Sequence, residues 1–124
     1  MTDIKVRTLN CGVRVIMEKI DYVKSAAFGV WVKAGAVYES AENSGVSHFI
    51  EHMMFKGTEK RSARKIAEDV DKIGGQMNAF TGKEATCYYV KTTWENLETG
   101  AEVILDMINN AVFDSREMTK ERKV

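Results

Sequence analysis

The sequence predicts an α+β fold in which an antiparallel or mixed sheet packs against helices. Two observations carry this prediction. In two regions of the chain, apolar and polar residues alternate as they do in paired strands. In the segments between these regions, apolar residues recur at the three- and four-residue spacing of a helix. The 124 residues contain no repeat, low-complexity stretch or linker, which favours a single domain.

The first part of the chain predicts three strands. Residues 4–8 alternate between apolar and polar side chains, which predicts a half-buried strand. The turn residues 10–12 follow, and residues 13–18 form the returning strand of a hairpin. Residues 25–33 are more uniformly apolar, so we expect a third strand in a central position. Residues 34–36 (Ala-Gly-Ala) end it.

A polar loop and a first helix follow these strands. The loop over residues 38–44 supplies Asn43 or Ser44 as a helix N-cap. The helix is predicted to span residues 46–56, and Gly57 is a natural stop.

A second helix and a second hairpin come next. Ser62 is the predicted N-cap of the helix, and the glycines at 74–75 end it. Residues 76–81 and 86–92, rich in Tyr, Val and Thr in the second case, predict two strands joined by a turn at 82–83.

The last part of the chain is predicted to be helical. A long helix begins near Thr93 or Trp94 and carries an apolar stripe. Asp114 and Glu117 resemble a capping box that opens a final helix, and Val124 lies inside that helix.

Composition places the chain among ordinary globular proteins, with 44% hydrophobic and 29% charged residues. Its formal net charge of zero gives no reason to expect nucleic acid or an anionic membrane as a partner. No apolar run reaches bilayer length, and the first residues lack the features of a signal peptide. With only Cys11 and Cys87, we expect free thiols, a reducing compartment and a cytoplasmic location.

The segment His48-Phe49-Ile50-Glu51-His52 contains both histidines of the chain in an H-x-x-E-H arrangement. On a helix, residues three and four apart lie on one side, so the three polar side chains would project together. Two imidazoles can bind one Zn²⁺, and a carboxylate beside them can take a proton from a bound water. The spacing therefore predicts a zinc site, in the reverse order of H-E-x-x-H.

The alternative is a helix that carries these polar groups on its surface by chance. Phe49, Ile50 and residues 53–55 make the segment apolar on nearly every side, which predicts burial. Buried imidazoles and a buried carboxylate need partners, because an unpaired charge is costly there. A metal would satisfy all three groups, so the zinc interpretation is favoured.

Four stretches resemble the pitrilysin/insulinase family of zinc metallopeptidases, the inverzincins. Residues 48–58 (HFIEHMMFKGT) resemble the family's active-site stretch, and residues 29–35 (GVWVKAG) the strand before it. Residues 74–81 (GGQMNAFT) resemble its G-G-x-x-N-A-x-T segment, and residues 121–124 (ERKV) the start of E-R-x-V-V-x-x-E. The resemblance covers nearly the whole chain in the right order, and it is strongest to bacterial processing proteases and the β-subunit of mitochondrial processing peptidase.

The resemblance implies roles for the motif residues. His48 and His52 would be zinc ligands, and Glu51 would be the general base that activates a zinc-bound water for attack on a peptide carbonyl. Glu121 would match a carboxylate that orients a ligand histidine. Without the resemblance, Glu121 is simply a charge on a solvated helix.

The resemblance also implies a substrate-binding edge. Asn78 and Ala79 would lie on the edge strand beside the cleft, where the family binds extended substrate by β-augmentation. The residues alone would favour Asn78 as a turn or strand-end residue.

One ligand is missing from the resemblance. The family's third zinc ligand is a glutamate a few residues past 121–124, so residues 1–124 would be the N-terminal portion of a peptidase domain, truncated before that ligand. We therefore expect this chain alone to be incomplete and inactive, with weakened zinc affinity. Glu84 or Glu121 could substitute, although nothing in the sequence brings either to the metal.

Three hypotheses for function follow. The first is a parent protein that acts as a zinc metalloendopeptidase on peptides or presequence-like segments, with the remainder of the peptidase or a homologous subunit as its partner. The second is a non-catalytic domain that binds an extended peptide or a partner through its sheet edge. The third is self-association of an incomplete domain. The intact motif favours the first, because inactive partner subunits of the family usually lack it.

Overall fold

The computed structural model describes residues 3–123; Met1, Thr2 and Val124 lie outside the described residues. The predictions about the first residues of the chain and about Val124 inside the last helix therefore fall on residues outside the described range. The elements in chain order are β1 (Asp3–Thr8), β2 (Arg14–Lys19), β3 (Ser25–Val32), α1 (Val46–Met54), α2 (Ala63–Lys72), β4 (Gln76–Thr81), β5 (Thr86–Thr93), α3 (Leu97–Asn110) and α4 (Ser115–Arg122). The predicted α+β fold is confirmed.

The strands form two antiparallel units. β1 and β2 make the predicted hairpin, and β3, β5 and β4 make a three-stranded sheet in that order. The expectation that the third strand is central is wrong, because β5 lies between β3 and β4. β5 takes the centre since it pairs with both neighbours and buries most of its side chains, whereas β3 alternates exposed and partly buried residues.

The hydrophobic core lies between the three-stranded sheet and helices α2 and α3. β5 contributes Tyr88 and Val90 to it, and α3 contributes Val103, Ile104 and Met107, the last three fully buried. Burying each such aliphatic side chain contributes roughly 1.5–3 kcal/mol relative to exposing it. This packing fixes the sheet on which the candidate site rests.

Two predicted helix caps can be compared with the structure. The Ser62 hydroxyl accepts the Lys65 N–H, which confirms Ser62 as the N-cap of α2. Asp114 caps α4 by accepting the N–H groups of the following turn, but Glu117 pairs with Lys120 at 3.1 Å and makes no reciprocal bond. The capping box of α4 is therefore only half formed.

The long helix begins later than expected. Residues Trp94–Asn96 form a tight 3₁₀ turn, and α3 starts at Leu97 rather than near Thr93 or Trp94. The Trp94 N–H donates to the Lys24 carbonyl at 2.9 Å, which holds this turn against the start of β3. A long-range backbone bond of this kind has no local sequence signal.

The β1–β2 hairpin leaves apolar side chains in solvent. Ile4, Val6 and Ile16 are each 60% exposed or more, so the expectation of a half-buried strand is wrong for the described residues.

Cys11 and Cys87 are both free thiols, as predicted, and burial raises the pKa of Cys87. Among residues 3–123, no helix has the length and apolar character to cross a bilayer.

Candidate metal centre

The N-terminus of helix α1, which carries the H-x-x-E-H motif, is capped by a side chain that the sequence pattern around it does not indicate. Its N-cap is Gly45, whose φ of 86° lies in the left-handed region that glycine adopts without strain. The Glu39 carboxylate accepts the Gly45 N–H at 2.9 Å and the Ser47 N–H at 2.8 Å. The expectation of Asn43 or Ser44 as the cap is wrong, because the Asn43 side chain closes a turn within the preceding loop.

The two backbone donors hold Glu39 in its charged form. They lower the pKa of Glu39 from its ordinary value, with the Ser47 N–H contributing most and the Gly45 N–H next. A carboxylate at this position also interacts favourably with the positive end of the α1 dipole. Glu39 therefore anchors the start of the motif helix.

Replacing Glu39 with Gln is expected to destabilise the fold at neutral pH. A carboxyl whose pKa is lowered by folding stabilises the fold above its ordinary pKa, and that contribution is lost as the pH falls through the lowered value. The melting temperatures of the wild type and Glu39→Gln should therefore differ most at neutral pH and converge as the pH falls through the lowered pKa of Glu39. Glu42→Gln, in the same loop and exposed, is the matched control. Parallel curves for the wild type and Glu39→Gln at every pH would show that this anchor does not operate.

The two histidines lie one turn apart on α1 with their rings close together. Their Nε2 atoms are 3.1 Å apart, and the ring centroids are separated by 4.4 Å. Glu51 joins them, since one candidate ligand atom from each of the three residues lies within 4.8 Å of the others. The structure thus brings together the three residues that helical spacing predicted.

The predicted burial of α1 on nearly every side is wrong. Met53 is fully buried, but Ile50 is 37% exposed and His48 is exposed as well. α1 contacts β4 and α4, and a groove of about 530 Å³ opens beside it, lined by both histidines and by Met118 and Glu121 of α4. Catalytic zinc sites keep one position open, so an accessible groove suits that use better than a closed core does.

Glu121 of α4 contacts His52 from the side opposite His48. Its Oε2 lies 2.9 Å from His52 Nδ1, and its Oε1 lies 3.0 Å from Lys56 Nζ. The hydrogen bond with His52, and after it that with Lys56, lowers the pKa of Glu121 from its ordinary value. Since a carboxylate can only accept, His52 Nδ1 is the donor in this contact, and Nε2 is the ring nitrogen that faces His48.

Glu51 faces the sheet. Its Oε2 accepts a hydrogen bond from the hydroxyl of Thr81, the last residue of β4. Burial and, after it, the nearby Glu51 charge raise the pKa of Tyr88 to about 12, so this tyrosine is neutral at ordinary pH. The family resemblance covers Thr81 but implies no role for it, because the contact of Thr81 with α1 arises only in the folded chain.

The motif residues fit a zinc ion. Two imidazole nitrogens on one tetrahedral zinc lie roughly 3.3 Å apart, close to the observed separation of 3.1 Å between the Nε2 atoms. The Glu121 contact favours the neutral His52 tautomer with its proton on Nδ1, and in that tautomer Nε2 offers its lone pair to a metal. The donor set and its orientation are therefore compatible with zinc.

The two suggested substitutes for a third ligand do not join this group in the described part of the chain. Glu84 lies in the exposed turn between β4 and β5, and Glu121 contacts the nitrogen of His52 that points away from His48.

The two residues predicted to contact a substrate, Asn78 and Ala79, lie on β4, an outer strand of the three-stranded sheet. The Asn78 Oδ1 accepts the Ala79 N–H at 2.8 Å.

A polar cluster that the sequence did not reveal anchors the chain after α1. Asp106 of α3, 6% exposed, accepts hydrogen bonds from the Thr58 hydroxyl and Arg61 Nη1, both at 2.7 Å, and from Asn110 Nδ2 at 2.9 Å. Arg61 Nε also donates to Asp69 of α2 at 2.8 Å. Burial alone would raise the pKa of Asp106, but these hydrogen bonds hold it below its ordinary value. The cluster joins the segment after the motif helix to α2 and α3.

A sheet packed on helices, with two imidazoles and a carboxylate converging on one helix, defines an α+β protein with a candidate metal centre. Residues 14–124 match the model of the insulinase family, peptidase family M16. The chain belongs to this family of peptidases, as the resemblance of its motifs implied.

Named relatives agree with this assignment. The chain is 49% identical over 121 residues to an uncharacterised zinc protease, YmxG, of Bacillus subtilis, covering 98% of this chain and 30% of the relative. It is 41% identical over 120 residues to a probable mitochondrial-processing peptidase subunit beta of Arabidopsis thaliana, covering 97% of this chain and 23% of that protein.

A solved structure shares the fold. The crystal structure of a protease from Helicobacter pylori matches with a TM-score of 0.92 and 27% identity, over 98% of this chain and 30% of that one. The chain thus spans about 30% or less of the length of these relatives.

Proposed function

We propose that the protein is a zinc-dependent metalloendopeptidase that hydrolyses peptide bonds in peptides or presequence-like segments. The observation that carries the proposal is the convergence of His48 Nε2, His52 Nε2 and the Glu51 carboxylate beside an open groove. The relatives named as zinc proteases and as a processing-peptidase subunit support it.

The residues have distinct roles in this proposal. His48 and His52 would hold the zinc, and Glu121 orients the His52 ring through its contact with Nδ1. Bound zinc supplies a Lewis acid that lowers the pKa of water and polarises the scissile carbonyl. Glu51 accepts the proton of the attacking water and passes it to the leaving amine.

The edge of β4 is the proposed place for an extended peptide. The Gly82 N–H bonds to the Ala85 carbonyl at 2.8 Å and closes the turn to β5. Because hydrogen-bonded and non-hydrogen-bonded pairs alternate in an antiparallel ladder, the backbone groups of Ala79 point away from β5. A bound peptide would take over the Ala79 N–H from the Asn78 side chain, and this supports both residues as the proposed peptide contacts.

A second candidate function uses the same edge without hydrolysis. The unpaired edge of β4 in the described sheet favours a domain that binds an extended peptide or a partner, such as the remainder of a peptidase or a homologous subunit. Self-association of the chain and a cytoplasmic location stay predictions.

Peptide hydrolysis by the full-length gene product tests the first candidate. We expect cleavage of an unstructured peptide, loss of cleavage after chelation, and recovery when zinc is returned. Recovery is the control, because it separates metal loss from unfolding. Hydrolysis that persists in metal-free protein would contradict the proposal, and binding without cleavage would favour the second candidate.

A further inference from the structure

Glu51 is held in place by a single hydrogen bond among the residues that the structure describes. That bond comes from the Thr81 hydroxyl to Oε2. A glutamate side chain has three rotatable bonds, so a carboxylate without a partner would sample several orientations. The Thr81 contact restricts Oε2 and leaves the second oxygen, Oε1, able to accept a proton.

β4 gives Thr81 a rigid support. All six residues of the strand pair with β5, and Thr81 lies opposite Thr86, whose hydroxyl donates to the Ala34 carbonyl at 2.9 Å. Side chains alternate along β4, with Ala79 and Thr81 partly buried and Phe80 exposed. The strand geometry therefore directs the Thr81 hydroxyl towards α1.

We propose that Thr81 is a positioning residue, whose hydroxyl holds the Glu51 carboxylate in the orientation for proton transfer and ties it to the strand that receives the peptide. This inference rests on the proposed function. Asn78 and Ala79, the proposed peptide contacts, lie on the same strand as Thr81. The substrate and the Glu51 carboxylate would therefore be positioned by the same strand. A misplacement of about 1 Å between such groups can cost about 100-fold in rate.

The test is the kinetics of Thr81→Val in the full-length gene product. Valine keeps the shape of threonine and removes the donor, so we expect kcat to fall about 10–100-fold with KM and zinc content little changed. Thr81→Ser, which restores the hydroxyl, should recover most of kcat. A wild-type kcat in Thr81→Val would overturn the inference, and so would a serine variant no better than valine.

Two controls separate positioning from general stability. Thr92→Val removes the hydroxyl of a buried threonine on β5, which donates to the Ile73 carbonyl at 2.8 Å, and should leave kcat unchanged. In a Glu51→Gln background, Thr81→Val should cause no further loss of kcat, because its effect passes through the Glu51 carboxylate. A further loss of the same size would also overturn the inference.

Crystal structures of the wild type and of Thr81→Val give a readout that does not depend on activity. We expect a single Glu51 carboxylate orientation in the wild type and a rotated or multiple one in Thr81→Val. An unchanged carboxylate would overturn the positioning role even in an active enzyme. If the wild type hydrolyses no peptide, the proposed function fails, and this comparison still decides whether Thr81 orients Glu51.

Discussion

Replacing Glu51 with Gln in the full-length gene product is expected to lower kcat/KM about 10²–10⁴-fold, the usual contribution of a positioned general base. The amide has nearly the same shape, but it cannot take the proton from the attacking water. Zinc content should be retained, because His48 and His52 supply the proposed ligands. Steady-state kinetics together with metal analysis measures both quantities.

The control for this prediction is Glu59→Gln, which makes the same chemical change at an exposed residue outside the motif. It should keep wild-type kinetics. Intact hydrolysis in Glu51→Gln would show that the proton acceptor is another group. Loss of zinc along with activity would instead show that Glu51 contributes to holding the metal.

The Asp106→Ala variant is expected to lower the free energy of unfolding by about 3 kcal/mol. The change removes the acceptor for the Thr58 hydroxyl and Arg61 Nη1, which leaves partly buried donors without their partner. Arg61 keeps its contact with Asp69, so the loss should stay below that of a fully isolated buried charge. Chemical denaturation of the wild type and the variant measures the difference.

Glu102→Ala is the matched control, because Glu102 lies on the same helix and faces the same arginine. Its side chain is 68% exposed and 3.7 Å from Arg61 Nη2. An exposed pair of this kind contributes less than about 1 kcal/mol, so this variant should unfold almost as the wild type does. Equal losses in Asp106→Ala and Glu102→Ala would contradict the assigned importance of the buried cluster.

Local patterns predicted most of the elements in this chain. The alternation of apolar and polar residues predicted the β1–β2 hairpin, and Ser62 with the residues after it predicted α2. Both predictions succeed because the spacing of apolar residues in a strand or a helix is visible within a few neighbouring residues. The order of the strands in the three-stranded sheet could not be predicted from local patterns. β3 reads as more uniformly apolar, yet β5 is central, since pairing on both sides depends on the whole sheet.

The candidate site divides in the same way. The convergence of His48, Glu51 and His52 follows from one turn of helix, so spacing alone predicts it. Thr81 lies 30 positions from Glu51, and Asp106 lies 48 positions from Thr58. Such contacts exist only after the sheet and helices have packed, and no spacing rule points to them. Glu121, 69 positions from His52, was anticipated only through the family resemblance.

The zinc content of the purified full-length gene product tests the central claim most directly. The account predicts about one zinc per chain in the wild type, and little or none in His48→Ala and His52→Ala. Each variant should keep its fold, because His48 is exposed and the His52 ring is 39% exposed. If His52→Ala binds stoichiometric zinc as tightly as the wild type, the H-x-x-E-H segment is not the metal site.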